Sequence, residues 1–376
     1  MKTINAKKHL KIFIIAGEVS GDVLGAKIMH EMSGVDFVGI GGQNMTSKGL
    51  KSLFPMSDLS VMGIFEVLSH AKTLTLRIRQ TIDAIIKEKP DIVLTIDSPG
   101  FAKSVINGVR KKQSMVLKDT KFYHVVAPQV WAWGARRARK YAKTFDKLYA
   151  FFDFERPYFE KYNLNTIAVG HPISDGLDKY KKTKTNEKII TFVPGSRMNE
   201  VKKLLPVFRK TIDLLMVNGC QNYCFVIPTV ETTDEYIRNY VKDWKIKPTL
   251  VPSKKRYDIY ANTYIAVVAS GTVSAELAIM HIPTIVVYKM NPITSLLARL
   301  LVRVKWVSLV NILMNKTIFP ELLGKNANPV AITKAIKKLT LPSKRTQLIK
   351  ELKKSDSKWT KSGKKAAKAI ADDILS

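Results

Sequence analysis

Apolar segments of strand length run straight into turns of small residues at several places, and these places form two separate groups. In the first half, KIFIIA at 11–16 leads into GEVSGD. In the second half, IITFV at 189–193 leads into PGSR, and AVVA at 266–269 leads into SGT. α/β domains build ligand sites where a buried parallel strand meets such a turn, and the N–H groups of the following helix start bind phosphate. The two groups therefore predict two domains that face each other across a cleft.

Strand-like and helix-like segments alternate along both halves. A length of 376 residues is too great for one ordinary core and suits two. The alternation predicts an α/β fold with two Rossmann-like, doubly wound parallel-sheet domains. The predicted strands are 11–16, 37–40, 91–96, 121–126, 189–193, 223–227, 265–269 and 284–288, and the predicted helices are 22–32, 74–89, 199–217 and 272–280.

Shifts in composition give the domain limits. Residues 175–188 are rich in Lys, Thr, Asp and Asn, which suits an interdomain linker. We therefore predict one domain over 1–174 and a second over 189–342. Residues 343–376 form a basic, helix-prone tail with Trp359 as its large anchor. Packing of this tail on its own first domain or on a partner subunit stays open.

The charge balance constrains the partners. Basic residues number 62 and acidic residues 31, a net charge of +31. This excess favours polyanions, namely nucleic acid, phosphorylated metabolites or an anionic membrane face, although many lysines belong to an ordinary solvated surface. Two cysteines cannot form a disulfide framework, which indicates a reducing compartment. No apolar run approaches the ~18 residues of a membrane span, so we expect a cytoplasmic protein that touches a membrane from the side.

Several common site patterns are missing from the sequence. It has no GxxxxGK[ST] element, so a P-loop enzyme is disfavoured. Gly39-Ile40-Gly41-Gly42 only partly matches the dinucleotide pattern, because Asn44 stands where the third glycine belongs. His124, His171 and His281 are scattered and form no metal-binding pattern, and we expect no metal site.

Asp97 is the leading candidate for chemistry in the first half. It ends a predicted central strand, and Pro99 and Gly100 turn the chain directly afterwards. A carboxylate there is placed to act as a general base toward a hydroxyl, although a turn or capping aspartate is the alternative. Glu18 and Asp22 flank the first turn, which favours hydroxyl recognition over phosphate binding, with Asp22 also readable as a helix cap.

In the second half, an arginine and two small-residue turns predict a diphosphate site. Arg197 follows Gly195 and Ser196, so turn N–H groups and a guanidinium occur together. The turn Ser270-Gly271-Thr272 is a second candidate for binding an anion. Glu276, four residues beyond Thr272, is placed to hold two ribose hydroxyls, unless it is an ordinary exposed glutamate of a helix.

Three further segments combine apolar or aromatic residues with basic ones. The run VWAWGARRARK at 130–140 allows three interpretations: base stacking with nucleic acid, a surface for an anionic lipid, or a solvated helix with inward tryptophans. Residues 61–68 are apolar with one charge, and residues 294–306 carry a leucine stripe beside basic residues. Such stretches lie in bilayer interfaces or, as often, pack in a core.

The order of these segments resembles one known family, the lipid-A-disaccharide synthases, over nearly the whole chain. The matching segments are AGEVSGD (16–22), GIGGQNM (39–45), MGIFEVL (62–68), IDSPGF (96–101), APQVWAWGARRARK (127–140), FFDFE (151–155), VGHPISD (169–175), PGSRMNEV (194–201), ASGTVSAELA (269–278) and VSLVNIL (307–313).

This resemblance implies an inverting glycosyltransferase of the two-domain GT-B type that uses neither a metal nor a cofactor. The donor would be UDP-2,3-diacylglucosamine and the acceptor 2,3-diacylglucosamine 1-phosphate. The products would be the β-1,6-linked disaccharide 1-phosphate and UDP. Work at the cytoplasmic face of the bacterial inner membrane is implied, as a peripheral protein on an anionic surface. Nucleic acid is not an expected partner, and a homodimer is an open option.

The resemblance also assigns roles to individual residues. The family's catalytic aspartate falls on Asp97, and we predict Glu18 as a second catalytic residue. Both lie in the first domain, which would bind the acceptor. Gly100 and Ala127 depart from the family, where many members have Asp and Ser. The UDP site, in the second domain, would include the essential Arg197 and the important Asn311. We expect UDP binding by Gly195, Ser196, Arg197, Ser270, Gly271, Thr272, Glu276 and Asn311, and acceptor binding by Gly17, Ser20 and Gln129.

Two alternatives remain at the level of sequence. Another GT-B enzyme acting on a UDP-sugar, such as a peptidoglycan precursor transferase or a sugar 2-epimerase, would share the strand-end turns. A basic protein that binds membrane or nucleic acid without catalysis would share the charge, and its binding would fall steeply with salt.

Overall fold

The computed structural model describes residues 9–59, 64–112, 117–132, 134–177, 179–180, 187–289, 305–360 and 363–376. For residues 64–71 it describes the backbone, and the side chains follow from residue 72. The chain divides into two compact units. The first comprises residues up to Pro172 together with Thr360–Ser376, and the second comprises Ile173–Trp359. The chain therefore leaves the first unit once and returns to it at the end.

The first unit contains a six-stranded parallel sheet in the order β2-β1-β3-β4-β5-β6. The strand order reverses between β1 and β3, which pair directly along their length. Its strands are β1 (Lys11–Ala16), β2 (Asp36–Ile40), β3 (Ile92–Ile96), β4 (Lys121–Val125), β5 (Lys147–Ala150) and β6 (Asn165–Ala168). Its helices are α1 (Val19–Glu31), α2 (Gln43–Thr46), α3 (Ile64–Glu88), α4 (Pro99–Lys112), α5 (Ala138–Ala142) and α6 (Pro157–Glu160).

Both faces of this sheet are buried. Phe13 and Ile15 of β1 belong to one apolar cluster, whereas Ile12 and Ile14 belong to another. Alternate residues of a strand point to opposite faces, so helices must cover the sheet on both sides. This explains why β1 reads as a continuous apolar run in the sequence.

The second unit repeats the design with strands in the order β12-β11-β10-β7-β8-β9, all parallel. Here the strand order reverses between β7 and β10. The strands are β7 (Lys188–Val193), β8 (Tyr223–Thr229), β9 (Thr249–Pro252), β10 (Thr263–Ala269), β11 (Thr284–Tyr288) and β12 (Glu321–Leu323). The helices are α7 (Met198–Val217), α8 (Glu231–Val241), α9 (Arg256–Asn262), α10 (Thr272–Ile279), α11 (Leu309–Leu313), α12 (Pro329–Thr340), α13 (Pro342–Lys354) and α14 (Asp356–Trp359).

The C-terminal segment is shared between the units, which differs from the single tail expected over 343–376. Trp359 is 1% exposed and donates to Ser355 Oγ at 3.0 Å, within the second unit. A last helix, α15 (Ala366–Leu375), returns to the first unit. Its Asp373 accepts hydrogen bonds from Lys147 Nζ and Tyr149 Oη, each at 2.7 Å. Ala367 and Ile370 join the core beside β1, so the apolar face of α15 fixes its place.

The predicted doubly wound parallel sheets are confirmed, and every predicted strand is present within three residues of its expected limits. Four strands were not predicted, namely β5, β6, β9 and β12. They have at most four residues and lie toward the sheet edges, so they lack a long apolar run. Among the described residues, no helix is long and apolar enough to cross a membrane.

Candidate active site

The loops that follow β1 and β3 touch each other at the switch point of the first sheet. A Cβ atom added to Gly17 would lie 2.7 Å from Ser98 Cβ, which is closer than real side chains approach. Gly17 is therefore needed for these loops to meet. In open parallel sheets the carboxyl ends of strands at a switch point form the ligand crevice.

Asp97 follows β3 in an unusual backbone conformation. Asp97 and Ser98 have φ values of 55° and 45°, in the left-handed region that non-glycine residues rarely adopt. Ser98 N donates to Asp97 Oδ1 at 2.9 Å, and the other carboxylate oxygen accepts no hydrogen bond within the described part of the chain. Val126, directly after β4, also has a positive φ, of 81°. Such strain concentrates at functional sites.

Glu18 lies close enough to Asp97 for their charges to interact. Partial burial, and then the negative charge of Asp97, raise the pKa of Glu18 above its ordinary value. Two carboxylates that share a site resist simultaneous ionisation. The structure thus brings together both residues that we predicted as catalytic.

This interaction gives a measurable prediction. In an Asp97→Asn variant the pKa of Glu18 should fall, because one of the two causes that raise it has been removed. A carboxyl-detected NMR titration of Glu18 in both proteins measures this difference. An unchanged pKa would show that the two groups do not interact, and Asp83→Asn, at an exposed pair with Lys112, is the matched control.

Asp22 has a structural role that differs from the expected helix cap. It is 2% exposed, and its carboxylate accepts hydrogen bonds from the backbone N–H groups of Gly42, Asn44 and Met45, at 2.8 to 3.0 Å. These donors belong to the start of α2, so Asp22 lies inside α1 and caps a different helix. Burial raises the pKa of Asp22, but the Asn44 side-chain amide and these backbone donors outweigh it and hold the pKa below its ordinary value. The GIGGQNM segment is therefore held by Asp22.

The aromatic-basic segment contributes to a buried cluster after β4, β5 and β6. Trp131 Nε1 donates to Glu155 at 3.3 Å, and Glu155 also accepts from Phe151 N and Phe152 N. Burial raises the pKa of Glu155 to about 7, although these three donors favour the charged form and act in the opposite direction. His171 packs against both phenylalanine rings. Trp131 is half-buried in a turn and directs its indole N–H to Glu155, which agrees with the inward tryptophan of the third interpretation at this position. Trp133 lies outside the described residues.

Glu155 was not singled out from the sequence, although the FFDFE segment contains it. An acidic residue inside an aromatic run was the available signal. Among the predicted acceptor residues, Gly17 is buried, while Ser20 and Gln129 are exposed. Contacts that would unite Ser20 or Gln129 with Asp97 are therefore still only predicted.

In the second unit, two helix starts lie side by side at the other switch point. Val193, the last residue of β7, is paired with Val268 of β10. Gly195 has a φ of 102°, which requires glycine, and a Cβ atom there would lie 3.4 Å from Ala269 Cβ. α7 and α10 begin directly after these turns, at Met198 and Thr272. Both sets of N–H groups therefore point to the same edge of the sheet.

Arg197 precedes α7 and is open to solvent. Its side chain is 82% exposed, and Nη1 lies 3.2 Å from Glu200 Oε1. An exposed pair of this kind contributes little to stability, so the guanidinium is readily available to an anionic ligand. Ser196, Gly271 and Thr272 are also exposed, and Ser270 is half-buried.

Glu276 is buried, in contrast to the alternative of an ordinary exposed glutamate. It is 7% exposed, and its Oε1 accepts a hydrogen bond from Tyr257 Oη at 2.9 Å. Arg256 Nη2 lies 3.9 Å from the same oxygen. Burial raises the pKa of Glu276, and Tyr257 and Arg256 lower it. Tyr257 and Arg256 were missed at the level of sequence, where nothing linked α9 to α10.

Asn311 lies at the centre of a hydrogen-bond network. It is completely buried: Oδ1 accepts from Ile318 N and Phe319 N, and Nδ2 donates to Phe319 O and Glu321 Oε1. These four bonds use the full capacity of the amide. Asn311 therefore ties α11 to β12, and its contact with UDP stays a prediction.

This network predicts a large stability effect. Asn311→Ala would leave buried backbone groups of Ile318 and Phe319 without partners, at a cost of about 3 kcal/mol, or roughly 10 °C in the melting temperature of the unit. Thermal unfolding followed by circular dichroism measures it. Asn326→Ala, at an exposed position, should change little. Equal stability of Asn311→Ala and the native chain would contradict this role.

The remaining predicted features lie partly or wholly outside the described structure. Residues 294–304 of the leucine stripe, the side chains of 61–68 and half of the 175–188 linker are among them. Within the ranges that the structure describes, no group of three or more His, Cys, Asp and Glu side chains is arranged to hold a metal ion.

Comparison with solved structures defines the class of fold. S. aureus MnaA, solved with UDP, covers 97% of this chain with a TM-score of 0.63 and 13% identity, and the chain covers 95% of it. A UDP-GlcNAc 2-epimerase from Neisseria meningitidis bound to UDP-GlcNAc gives a TM-score of 0.61, 12% identity and coverage of 97% and 99%. A UDP-forming trehalose-phosphate synthase from Burkholderia xenovorans gives 0.55, 14% identity and 98% of each chain. The fold is therefore the GT-B type, as predicted.

Sequence comparison then identifies the family. The family described as Lipid-A-disaccharide synthetase matches residues 12–374. A lipid-A-disaccharide synthase of Rhodospirillum centenum is 38% identical over 358 residues, which are 91% of this chain and 88% of the relative. One from Paramagnetospirillum magneticum is 36% identical over 384 residues, with coverage of 96% and 97%. The chain belongs to the lipid-A-disaccharide synthase family, as its sequence segments predicted.

Proposed function

We propose that this protein makes the lipid A disaccharide by glycosyl transfer. The donor is UDP-2,3-diacylglucosamine, and the 6-hydroxyl of 2,3-diacylglucosamine 1-phosphate is the nucleophile. A C–O bond forms between that oxygen and the donor's anomeric carbon as the bond to UDP breaks, with inversion. The supporting observation is the family match over 12–374, which includes both switch-point loops.

The first unit supplies the general base. Asp97 takes the proton of the attacking hydroxyl. Its Oδ1 accepts from Ser98 N, whereas Oδ2 accepts no hydrogen bond within the described residues and can face the acceptor. The strained turn holds that carboxylate at the end of β3. Glu18 lies close enough to Asp97 for their charges to interact, and its proposed role is to hold the acceptor sugar beside this base. Gly17, Ser20 and Gln129 are proposed acceptor contacts.

The second unit stabilises the departing UDP. Arg197 and the helix starts after Gly195 and Ser270 offer positive charge and N–H donors to the diphosphate. The glycine at 195 lets the backbone approach closely. Glu276 would accept hydroxyls of the ribose, and Ser196, Gly271 and Thr272 would complete the set. These groups would carry the charge of the leaving group without a cofactor.

Acylated substrates also favour a position at a membrane surface. The net charge of +31 suits the anionic face of a bacterial inner membrane, where each nearby Lys or Arg contributes about 1 kcal/mol. We propose peripheral binding there on the cytoplasmic side. The apolar and basic stretches 61–68 and 294–306 are the proposed contacts with the lipid.

A direct transfer assay tests the function. Purified protein is incubated with radiolabelled UDP-2,3-diacylglucosamine and detergent-dispersed acceptor, and the products are separated by thin-layer chromatography. A labelled disaccharide 1-phosphate is expected together with UDP. The same assay with UDP-N-acetylglucosamine, which lacks the fatty acyl chains, should give no product. Turnover of that sugar instead would favour the epimerase-like alternative.

A further inference from the structure

The Glu276 carboxylate is held from one side only. Its Oε1 accepts the Tyr257 hydroxyl, whereas the buried Oε2 has no hydrogen-bond partner among the described residues. A buried oxygen that lacks a donor is costly. The side chain keeps 10% of its surface exposed, so it lies just below the surface of the unit. A ligand that donates hydroxyl groups would remove this cost.

Tyr257 lies between a cation and this anion. Arg256 Nη2 donates to Tyr257 Oη at 2.8 Å. Because a guanidinium can only donate, the tyrosine proton is directed to Glu276. Arg256 is itself fixed by bonds from Nη1 to Ser253 O and Oγ, both at 3.2 Å. The result is one directed chain of hydrogen bonds that ends at Glu276 Oε1 and leaves Oε2 with two lone pairs that can each accept a hydroxyl.

The Tyr257 ring is held independently of its hydroxyl. The Arg256 guanidinium lies 4.2 Å from the ring centroid, and the Tyr180 ring lies 4.9 Å away. Neither contact uses the hydroxyl, so Tyr257→Phe should keep the ring in place. This substitution therefore isolates the hydrogen bond to Glu276.

We propose that Tyr257 is a positioning residue that orients the Glu276 carboxylate toward the 2′- and 3′-hydroxyls of the nucleotide ribose, which makes the site selective for ribonucleotides. The inference rests on the proposed function, since it needs a uridine diphosphate at the β7–β10 switch point. Deoxyribose offers one hydroxyl fewer, and the unmet acceptor lowers its affinity.

Binding of UDP and 2′-deoxy-UDP to the full chain, measured by isothermal titration calorimetry, tests this proposal. We expect the native protein to favour UDP about tenfold, the size of one hydrogen bond to a charged group. In Tyr257→Phe the preference should fall to roughly twofold, mainly through weaker UDP binding. Tyr240→Phe, which removes a hydroxyl from α8, should keep the native preference.

The pH dependence separates positioning from a merely structural role. The groups of α9 that act on Glu276 are Arg256 and Tyr257, which lower its pKa, and Tyr260, whose own pKa Glu276 raises. Without the Tyr257 hydroxyl the pKa of Glu276 rises. As pH falls, Tyr257→Phe should therefore lose its remaining UDP preference at a higher pH than the native protein. An identical pH profile overturns the proposal.

The other outcomes are distinct. If Tyr257→Phe keeps the native preference for UDP over 2′-deoxy-UDP, the positioning role of Tyr257 is overturned, whereas the proposed UDP binding and glycosyl transfer still stand. Equal native binding of both nucleotides also overturns it. Absence of UDP binding and of transfer overturns the proposed function itself. If Tyr257→Phe is unstable, Arg256→Lys offers a second test. Lysine keeps the charge but loses the planar guanidinium that directs the Tyr257 hydroxyl, so the preference for UDP over 2′-deoxy-UDP should again fall.

Discussion

Asp97→Asn is expected to slow glycosyl transfer by about 10²–10⁴-fold, the usual contribution of a general base. Asparagine keeps the side-chain oxygen that accepts from Ser98 N, so the strained turn should persist. It cannot take the proton of the attacking hydroxyl. Steady-state turnover in the radiolabelled assay measures the loss, and the affinity for UDP should stay at the native value because the predicted UDP site lies on the second unit.

Two further variants of the first unit serve as controls for Asp97→Asn. Asp83→Asn changes another aspartate of the first unit, at an exposed pair with Lys112 2.8 Å away, and should keep native turnover. Glu18→Gln should cost less than Asp97→Asn, because the proposed role of Glu18 is to hold the acceptor sugar and not to take the proton of the attacking hydroxyl. Native turnover in Asp97→Asn would exclude this residue as the base.

Arg197→Ala should weaken UDP binding and slow transfer together. A charge-assisted contact to a phosphate contributes about 1.5–3 kcal/mol, which corresponds to roughly 10–100-fold in affinity. The same guanidinium would stabilise the charge that develops on the leaving group, so turnover should fall as well. Calorimetric titration with UDP and the transfer assay measure the two effects separately.

The fold should tolerate this change, since the Arg197 side chain is 82% exposed and its pair with Glu200 contributes little. Arg209→Ala removes an exposed arginine of α7, the helix that Arg197 precedes, and serves as the control. Higher salt should weaken UDP binding to the native protein more than to Arg197→Ala. Native affinity in Arg197→Ala would disprove its assignment to the diphosphate.

The sequence predicted the strands whose local pattern of apolar residues matches their burial in the folded protein. The central strands are buried on both faces, so each is a long apolar run that ends in a small-residue turn. These turns placed Asp97 and Arg197 at strand ends, where the structure has them. Short strands such as β6 and β12 lack that signal, because edge strands bury fewer residues.

Side-chain partners that are distant in sequence could not be predicted. Asp22 looked like the cap of its own helix, yet it holds the start of α2 through donors 20 to 23 residues away. The partners of Glu276 come from another helix, and nothing in its local sequence shows that it is buried. The expected single tail is divided because Trp359 and Ile370 pack into different cores.

By itself, the sequence determined the two parallel α/β sheets, the family and the strand-end residues that carry the proposed chemistry. These depend on the period of apolar residues and on turn composition, which are local properties of the chain. The tertiary structure alone decided which polar groups are buried and which donors satisfy them. Burial and hydrogen-bond pairing depend on segments far apart in the chain, and therefore only the folded protein specifies them.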